Sequence, residues 1–445
     1  MKFYSPMLFA VLCLPSILGM VPESVHAEEG GDREEWSARM QTTYIWQQNR
    51  PFASPYSATN SLDPGKNKSY TFSATADLAF RPWQNGEIYF NPEIVQGMPF
   101  SGLAGLGTFS NGEATRAAGT SPKGYRQRLF LRQTWNNGGS SEKQEAEWNQ
   151  LAGEVDKNRF VLTVGNFSIL DVFDDNAYAK DSRNQFFNAA NMTYGAYDYA
   201  ADARGFGWGA TGEWYQDEWV FRFGRMTGPR EPNMLPLDYR IFRHYGDQIE
   251  VEHAHRLFDQ PGKIRVIGWR NRAVMARFRD AINDGATRGG TPDIFRVRNS
   301  EQTKYGAGIN FEQAANDDLG FFMRAMKADG RTETLAFTEV DGSLSLGASL
   351  KGSAWGRAQD TVGLSFARNT LSHDRRNYLA AGGLSFFIGD GALNYRPEQI
   401  AETYYSVGFV KGVSLSFDYQ HYRNPAYNAD RGPVSIASAR FHAEF

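Results

Sequence analysis

Cysteine and long apolar runs are both nearly absent from this sequence. The single cysteine, Cys13, lies in an apolar stretch near the amino terminus, and no other follows it. The rest of the chain therefore has no thiol for a disulfide, nucleophilic catalysis, metal binding or a lipid anchor. No run of eighteen apolar residues follows this stretch, which excludes membrane-spanning helices.

Linkers and enzyme motifs are also missing. The sequence has no long proline- or serine-rich tract and no block of like charge, so residues 28–445 are predicted to form one domain. No G-x-S-x-G or H-E-x-x-H motif occurs, and the glycine-rich stretch 102–109 lacks the Lys-Ser/Thr of a phosphate loop. A net charge of −3 gives no argument for a nucleic-acid partner. We therefore expect neither an enzyme nor a cofactor.

The first 27 residues have the features of a secretory signal peptide. Lys2 provides a positive start, and residues 7–21 form an apolar core interrupted by Pro15. Residues 25–27 offer the small side chains that a signal peptidase recognises. The apolar core is too short for a transmembrane anchor, so we expect export with cleavage after Ala27.

Most of the remaining chain alternates between apolar and polar residues with a period of two, which indicates β-strands. In residues 36–46, apolar and aromatic side chains alternate with serine, arginine, glutamine and threonine, and residues 70–80 and 88–94 repeat the pattern. Further strands are predicted in residues 129–135, 208–214, 219–223, 249–252, 305–311, 321–325, 344–350, 362–366, 384–388, 403–409, 413–419 and 434–445. Residues 142–155 and 331–340 are ambiguous.

This alternation fits either a soluble β-sandwich or a membrane barrel whose apolar face meets lipid. Aromatic residues at strand ends on the apolar face favour the barrel, because tryptophan and tyrosine prefer the lipid–water boundary. Charged residues lie mid-strand on the opposite face, where a dry core would exclude them. The mean hydropathy of −0.52 agrees with a protein in which only alternate residues meet lipid. The boundary aromatics are Trp36, Trp46, Tyr70, Phe80 and Trp135.

The segments that connect the predicted strands alternate between short turns and long loops, such as residues 47–67 and 97–124. This alternation is typical of outer-membrane barrels. We predict an all-β fold, a closed antiparallel transmembrane β-barrel of about 16 strands (16–18), with short periplasmic turns and long extracellular loops. We expect it in the bacterial outer membrane, surrounded by outer-membrane lipids. The closing strand, VSIASARFHAEF, ends in Phe445, which resembles the terminal aromatic that the barrel assembly machinery reads in known barrels. A monomer and a homo-oligomer both fit the pattern.

The predicted inner face carries nearly balanced positive and negative charges. Such a lining gives no strong ion preference but offers many fixed hydrogen-bonding groups, which suits polyhydroxylated neutral solutes. The alternative is a solvated wall that only keeps the pore wet. Tyr89 and Trp269 are candidates for stacking on the C–H faces of sugars. The charged pore-lining candidates are Arg126, Arg128, Arg132, Arg222, Glu87, Glu93, Glu250 and Glu252.

Several long stretches resemble the carbohydrate-selective porin family (OprB-like). They include GNFSILDVFDDNAYAKDSRNQFFN, GAYDYAADARGFGWG, GPREPNMLPLD, GDQIEVEHAHRLFDQPGKIRVIGWRNRA, LAAGGLSFFIGDGALNYRPEQIAETYYS and NPAYNADRGPV. The resemblance implies a sixteen-stranded outer-membrane barrel for the passive uptake of small sugars, with glucose as the usual example. It also implies an arginine-rich constriction.

Competing functions remain open at this point. A general or ion-selective porin fits the barrel equally well, and an outer-membrane enzyme such as a lipase would need a serine–histidine pair that the sequence does not offer. His253 and His255 share a strand face, but they continue an apolar face and are better placed at a boundary than on zinc. Four aspartates lack the spacing and the glycine of an EF-hand, so loop hydrogen bonds are expected instead of calcium binding. They are Asp171, Asp174, Asp175 and Asp181.

Overall fold

The computed structural model describes residues 33–116 and 119–445, without the side chain of Arg116. The predicted signal peptide, residues 1–27, lies outside the described residues. No helix within the described ranges combines the length and apolar composition needed to cross a bilayer.

Eighteen strands form in this part of the chain, and their alternating side chains account for most of its regular structure. They are β1 (Trp36–Asn49), β2 (Lys68–Trp83), β3 (Gly86–Met98), β4 (Gly119–Asn136), β5 (Ser141–Gln144), β6 (Gly153–Asp156), β7 (Arg159–Phe167), β8 (Gly207–Gln216), β9 (Trp219–Met226), β10 (Tyr245–Leu257), β11 (Gln260–Val274), β12 (Glu301–Ala314), β13 (Leu319–Ala328), β14 (Gly342–Gly352), β15 (Arg357–Thr370), β16 (Glu398–Val410), β17 (Val413–Arg423) and β18 (Val434–Glu444).

Sixteen of these strands close into one antiparallel barrel, and β5 and β6 pair separately as a two-stranded sheet. The barrel closes where β1 pairs with β18, with Tyr44 opposite Phe441. Beyond β18, the Phe445 backbone N–H donates to the Met40 carbonyl at 2.8 Å. Closure leaves the barrel without a free edge, as a lipid environment requires. The predicted closed antiparallel barrel of about 16 strands is confirmed.

The two faces of the barrel differ as the inside-out pattern predicts. Val266 on β11 points outward and is 54% exposed, whereas its neighbour Arg265 is fully buried inside. Arg265 forms ion pairs with Glu252 at 2.6 Å and Glu312 at 3.2 Å. Apolar side chains therefore cover the outer wall, and charged side chains form paired networks on the inner wall.

The two ends of the barrel differ in the length of their connections. Tight turns join β2 to β3, β8 to β9, β10 to β11, β12 to β13, β14 to β15 and β16 to β17, and long loops join strands at the opposite end. By the usual orientation of outer-membrane barrels, the tight turns lie on the periplasmic side. The loops carry the helices α1 (Ala189–Met192), α2 (Phe278–Arg288), α3 (Ile294–Val297) and α4 (His373–Ala380), and short 3₁₀ turns at Phe100–Leu103, Ala114–Arg116, Ile169–Asp171, Ser353–Trp355 and Pro425–Tyr427.

Three local strand predictions need correction or completion. Residues 384–388, predicted as a strand, lie in the loop between β15 and β16, where the Ser385 backbone N–H bonds back to the Ile388 carbonyl. The ambiguous residues 142–155 contain the separate hairpin β5–β6, and residues 331–340 form a buried loop without a strand. Strands β7 and β11 were not singled out by alternation.

Candidate functional site in the barrel interior

The loop between β7 and β8, residues 168–206, folds into the barrel and crosses it. Asp174 of this loop accepts a hydrogen bond from Arg324 Nε on β13 at 2.9 Å. The backbone N–H of Phe187 donates to Glu402 on β16 at 2.5 Å. Tyr178 of the same loop packs closely against Gly320 on β13. Only glycine fits there, because a Cβ at position 320 would lie 1.9 Å from the Tyr178 ring. We call residues 168–206 the inward loop.

A second loop, between β3 and β4, supports the inward loop from the other side. Arg183 of the inward loop forms an ion pair with Glu113 at 2.9 Å and with Glu93 on β3 at 2.6 Å. Ser110 accepts a hydrogen bond at its carbonyl from Gln47 on β1 at 3.0 Å. These buried polar contacts attach both loops to the inner wall.

Between the loops and the wall of β4, β7, β8 and β9 lies a cavity of about 660 Å³. Its lining mixes both signs of charge with aromatic and amide side chains. Members of the lining include Glu87, Glu113, Arg128, Arg132, Asp171, Lys180, Arg183, Arg204, Glu213 and Arg222 among the charged residues, and Phe109, Trp148, Tyr194, Tyr197 and Tyr199 among the aromatic ones.

Arg128 and Asp171 form a bidentate ion pair at the cavity wall. Arg128 Nε donates to Asp171 Oδ2 and Nη2 donates to Oδ1, both at 2.7 Å. Burial alone would raise the pKa of Asp171, but the charge and hydrogen bonds of Arg128 outweigh burial and hold that pKa below its ordinary value. The carboxylate therefore stays ionised and fixed at neutral pH.

Asp175 and Lys180 form a second pair on the inward loop, at 2.6 Å. The side chains of both residues are partly exposed, and the Lys180 charge is the main cause that lowers the pKa of Asp175. Partial desolvation opposes the charge on Lys180, but the Asp175 carboxylate outweighs it and raises the pKa of this lysine. Because folding lowers the pKa of Asp171 and Asp175, these ionised carboxylates stabilise the folded loop at pH values above the ordinary pKa of aspartate. This stabilisation is lost as the pH falls through the lowered pKa values.

Three of the four predicted arginines and one predicted glutamate line the cavity, namely Arg128, Arg132, Arg222 and Glu87. Arg222 also pairs with Glu213 at 3.0 Å. Arg132 donates to the Asn149 carbonyl at 2.8 Å.

The remaining predicted glutamates lie inside the barrel but beneath other side chains. Glu250 and Glu252 both accept hydrogen bonds from Arg222 Nη1, at 2.9 and 3.0 Å. Glu93 is held by Arg183 and by Thr75, whose hydroxyl donates to it at 2.5 Å. These carboxylates position the cationic side chains that face the cavity.

Arg126 does not line the central cavity as the parity of β4 predicts, because a β-bulge reverses the parity at this point. Asn91 on β3 pairs with Arg128, but the next residue, Pro92, pairs with Arg126, so Gln127 is the extra residue of a β-bulge. The bulge turns Gln127 inward and leaves Arg126 exposed, 5.0 Å from the ring centre of Trp208. Arg126 lines a separate cavity with Trp208 and does not line the central one.

The two predicted aromatic platforms are also corrected. Tyr89 is fully buried, its ring stacks on Phe130 at 4.8 Å, and its hydroxyl donates to Glu87 at 2.7 Å. Trp269 points inward from β11, but Tyr197 of the inward loop covers it, with ring centres 6.0 Å apart. Neither ring is open to a passing solute.

The alternation of polar and apolar residues predicts strand positions only, so it does not identify the cavity residues that lie on loops. Lys180 and Arg183 lie within the stretch AKDSRNQ, where no period of two applies. Only the resemblance of that stretch to a porin family marked it as important.

The four aspartates considered as calcium ligands each have protein partners; Asp181, for example, accepts a hydrogen bond from the Arg183 backbone N–H at 2.8 Å. Within residues 33–116 and 119–445, no group of three or more His, Cys, Asp or Glu residues is arranged to hold a metal ion.

Replacing Arg324 by methionine tests whether the inward loop is anchored as described. Arg324 is fully buried and holds both Asp174 and the Asn191 carbonyl, so its loss leaves a buried carboxylate unpaired. We expect the R324M variant to lose about 3–5 kcal/mol of unfolding free energy, measured by urea denaturation in lipid or detergent. The control is R288M on the exposed face of α2, where no measurable loss is expected. Equal stability of the two variants would contradict the anchoring.

A closed barrel with a lumen narrowed by inward-folded loops around a polar cavity defines a porin of the outer membrane. The family model described as carbohydrate-selective porin, OprB family, matches residues 60–445, and the chain belongs to this family. The family predicted from the quoted stretches is thus confirmed.

Solved structures agree with this fold. The chain is similar to OprB from Pseudomonas putida, in a structure determined at high pH, with a TM-score of 0.70 and 14% sequence identity over 92% of this chain and 94% of that one. It is also similar to the outer membrane channel DcaP of Acinetobacter baumannii, with a TM-score of 0.50 and 9% identity over 92% and 97% of the two chains. At these identities the likeness establishes the fold. A comparison with curated proteins found no match.

Proposed function

We propose that this porin carries small neutral sugars, glucose among them, across the outer membrane by passive diffusion through the central cavity. The cavity arginines form the constriction, with Arg128, Arg132 and Arg183 as its principal members. Passive diffusion needs no cofactor, and the porin family and fold support a channel as the activity.

The observation that carries this proposal is the Arg128–Asp171 pair at the cavity wall. Each group neutralises the other, so the wall presents fixed donors and acceptors without a strong field of one sign. A planar guanidinium beside a carboxylate matches adjacent sugar hydroxyls, which donate to the carboxylate and accept from the arginine. A cavity of about 660 Å³ is within the range of small-ligand sites.

The proposal includes the setting of the protein. We propose cleavage after Ala27, contact of the outer wall with outer-membrane lipids, and recognition of Phe445 by the barrel assembly machinery. The outer wall is compatible with a homo-oligomer, because an apolar seam between copies and a lipid-facing surface have the same pattern.

Planar-bilayer recording tests the proposed substrate class. We expect the ion current through the pore to fall on addition of glucose or maltose and to saturate with sugar concentration. A current indifferent to sugar, together with a marked preference for anions or cations, would favour a general or ion-selective porin.

A further inference from the structure

The connection between β4 and β7, residues 137–158, is unlike the tight turns that join neighbouring strands at the same end of the barrel. It is long, and it contains the hairpin β5–β6. The residues between the two strands of this hairpin turn back into the periplasmic mouth of the barrel. We call residues 145–152 the exit segment.

Side chains of the inner wall hold the backbone of the exit segment in place. The Asn149 backbone N–H donates to Asp77 Oδ2 at 2.9 Å, and the Leu151 backbone N–H donates to the Tyr89 hydroxyl at 3.1 Å. Arg132 donates to the Asn149 carbonyl at 2.8 Å. Bonds to successive backbone groups from β2, β3 and β4 fix the conformation of a segment that would otherwise be a mobile turn.

The ends of the exit segment are anchored as well. The Ala152 backbone N–H donates to Glu34 Oε2 at 2.9 Å, and Arg39 donates to the carbonyls of Glu147 and of Gln150, the latter at 3.3 Å. Leu151 is fully buried and belongs to the same apolar cluster as Tyr89 and Phe130. This packing explains why Tyr89 is closed to solutes, because the exit segment covers it.

The exit segment also contributes to the central cavity. Glu147, Trp148 and Gln150 line it from the periplasmic end, opposite the loops that close it on the extracellular side. Trp148 is half-buried, so part of its indole faces the open volume. The Gln150 side-chain N–H donates to the Glu145 carbonyl at 2.8 Å, which fixes its amide. The indole of Trp148 thus offers an apolar surface for C–H groups, and the Glu147 carboxylate and the Gln150 amide oxygen offer acceptors for hydroxyls of the same solute.

We propose that the exit segment forms a second solute-binding constriction at the periplasmic end of the pore, where Trp148 stacks on the ring of a sugar and Glu147 and Gln150 bind its hydroxyls. This inference rests on the proposed function, because it names where the same solute is held before release. It makes the half-buried Trp148 the aromatic platform that neither Tyr89 nor Trp269 provides.

Single-channel recording with glucose and maltose tests this inference through the variants W148A, W148F and E145Q. We expect W148A to weaken the saturable block of the current by about three- to ten-fold, the loss of one aromatic contact, and W148F to retain most of the block. Glu145 lies on the exposed part of the same segment and pairs with Lys143, so E145Q serves as the matched control and should leave the block unchanged.

A second measurement separates this inference from the proposed function. Replacing residues 145–151 by a short glycine–serine linker should raise the conductance measured without any sugar, because the periplasmic constriction is removed. Unchanged block in W148A, with block present in the unmodified protein, overturns the binding role of Trp148 and leaves the proposed function standing. Absence of sugar block in the unmodified protein overturns both. Unchanged conductance in a correctly folded linker variant overturns the constriction.

Discussion

Replacing residues 173–203 of the inward loop by a short glycine–serine linker is expected to raise the conductance of the pore several-fold. A sixteen-stranded barrel encloses a wide aqueous lumen, and this loop fills much of it by reaching from β7 to Arg324 and Glu402 on the far wall. The strands themselves pair independently of the loop, so the barrel should still close. Block by glucose should weaken strongly with the loss of the cavity, and only the contribution of the exit segment should remain; single-channel recording measures both changes.

The control for this experiment shortens a loop that lies away from the cavity. Residues 286–290, at the end of α2, are exposed, and none of them lines the central cavity. Their replacement should leave conductance and sugar block unchanged. A folded variant of the inward loop that conducts like the unmodified protein would show that this loop does not narrow the pore.

Placing an arginine at Val266 is expected to destabilise the barrel by about 2–4 kcal/mol in lipid. Val266 lies mid-strand on the outer face of β11, opposite Val251 on β10, and points away from the charged interior. An arginine on the lipid face near the bilayer midplane carries this cost, and the cost falls toward the boundaries. Urea denaturation of the folded protein in lipid vesicles measures it.

Phe258 provides the matched control for V266R. It lies in the tight turn between β10 and β11 and is 99% exposed, so the same substitution there meets water. We expect F258R to be as stable as the unmodified protein. If V266R and F258R were equally stable, the outer wall at β11 would not face the hydrocarbon of a bilayer.

The sequence predicted the walls of this barrel well because each wall position depends on a local period of two. Ile249 and Glu250 on β10 show the reason: adjacent residues of a strand face opposite sides, so Ile249 is 65% exposed on the outer face and Glu250 is buried inside. Arg126 shows the limit. One extra residue at Gln127 reverses the parity of everything before it on β4, and nothing local in the sequence marks that bulge.

The sequence predicts only in part which side chains of the inner wall are accessible to a solute. Tyr89 and Trp269, both predicted to point inward, lie on the inner wall, but the prediction does not say which loop covers them. The exit segment buries Tyr89, and Tyr197 of the inward loop covers Trp269. These contacts join residues far apart in the chain, and only the folded chain brings them together. The resemblance to a porin family indicated the function where periodicity could not.

Selection of sugars by fixed polar groups in the cavity is tested most directly by liposome swelling with a series of sugars that includes stereoisomers of equal mass. If Arg128, Asp171 and their neighbours bind hydroxyls in a defined geometry, sugars of equal mass should enter at clearly different rates, and the differences should shrink when the inward loop is replaced. Rates that fall smoothly with mass and are identical among stereoisomers would contradict this selection and reduce the pore to a sieve.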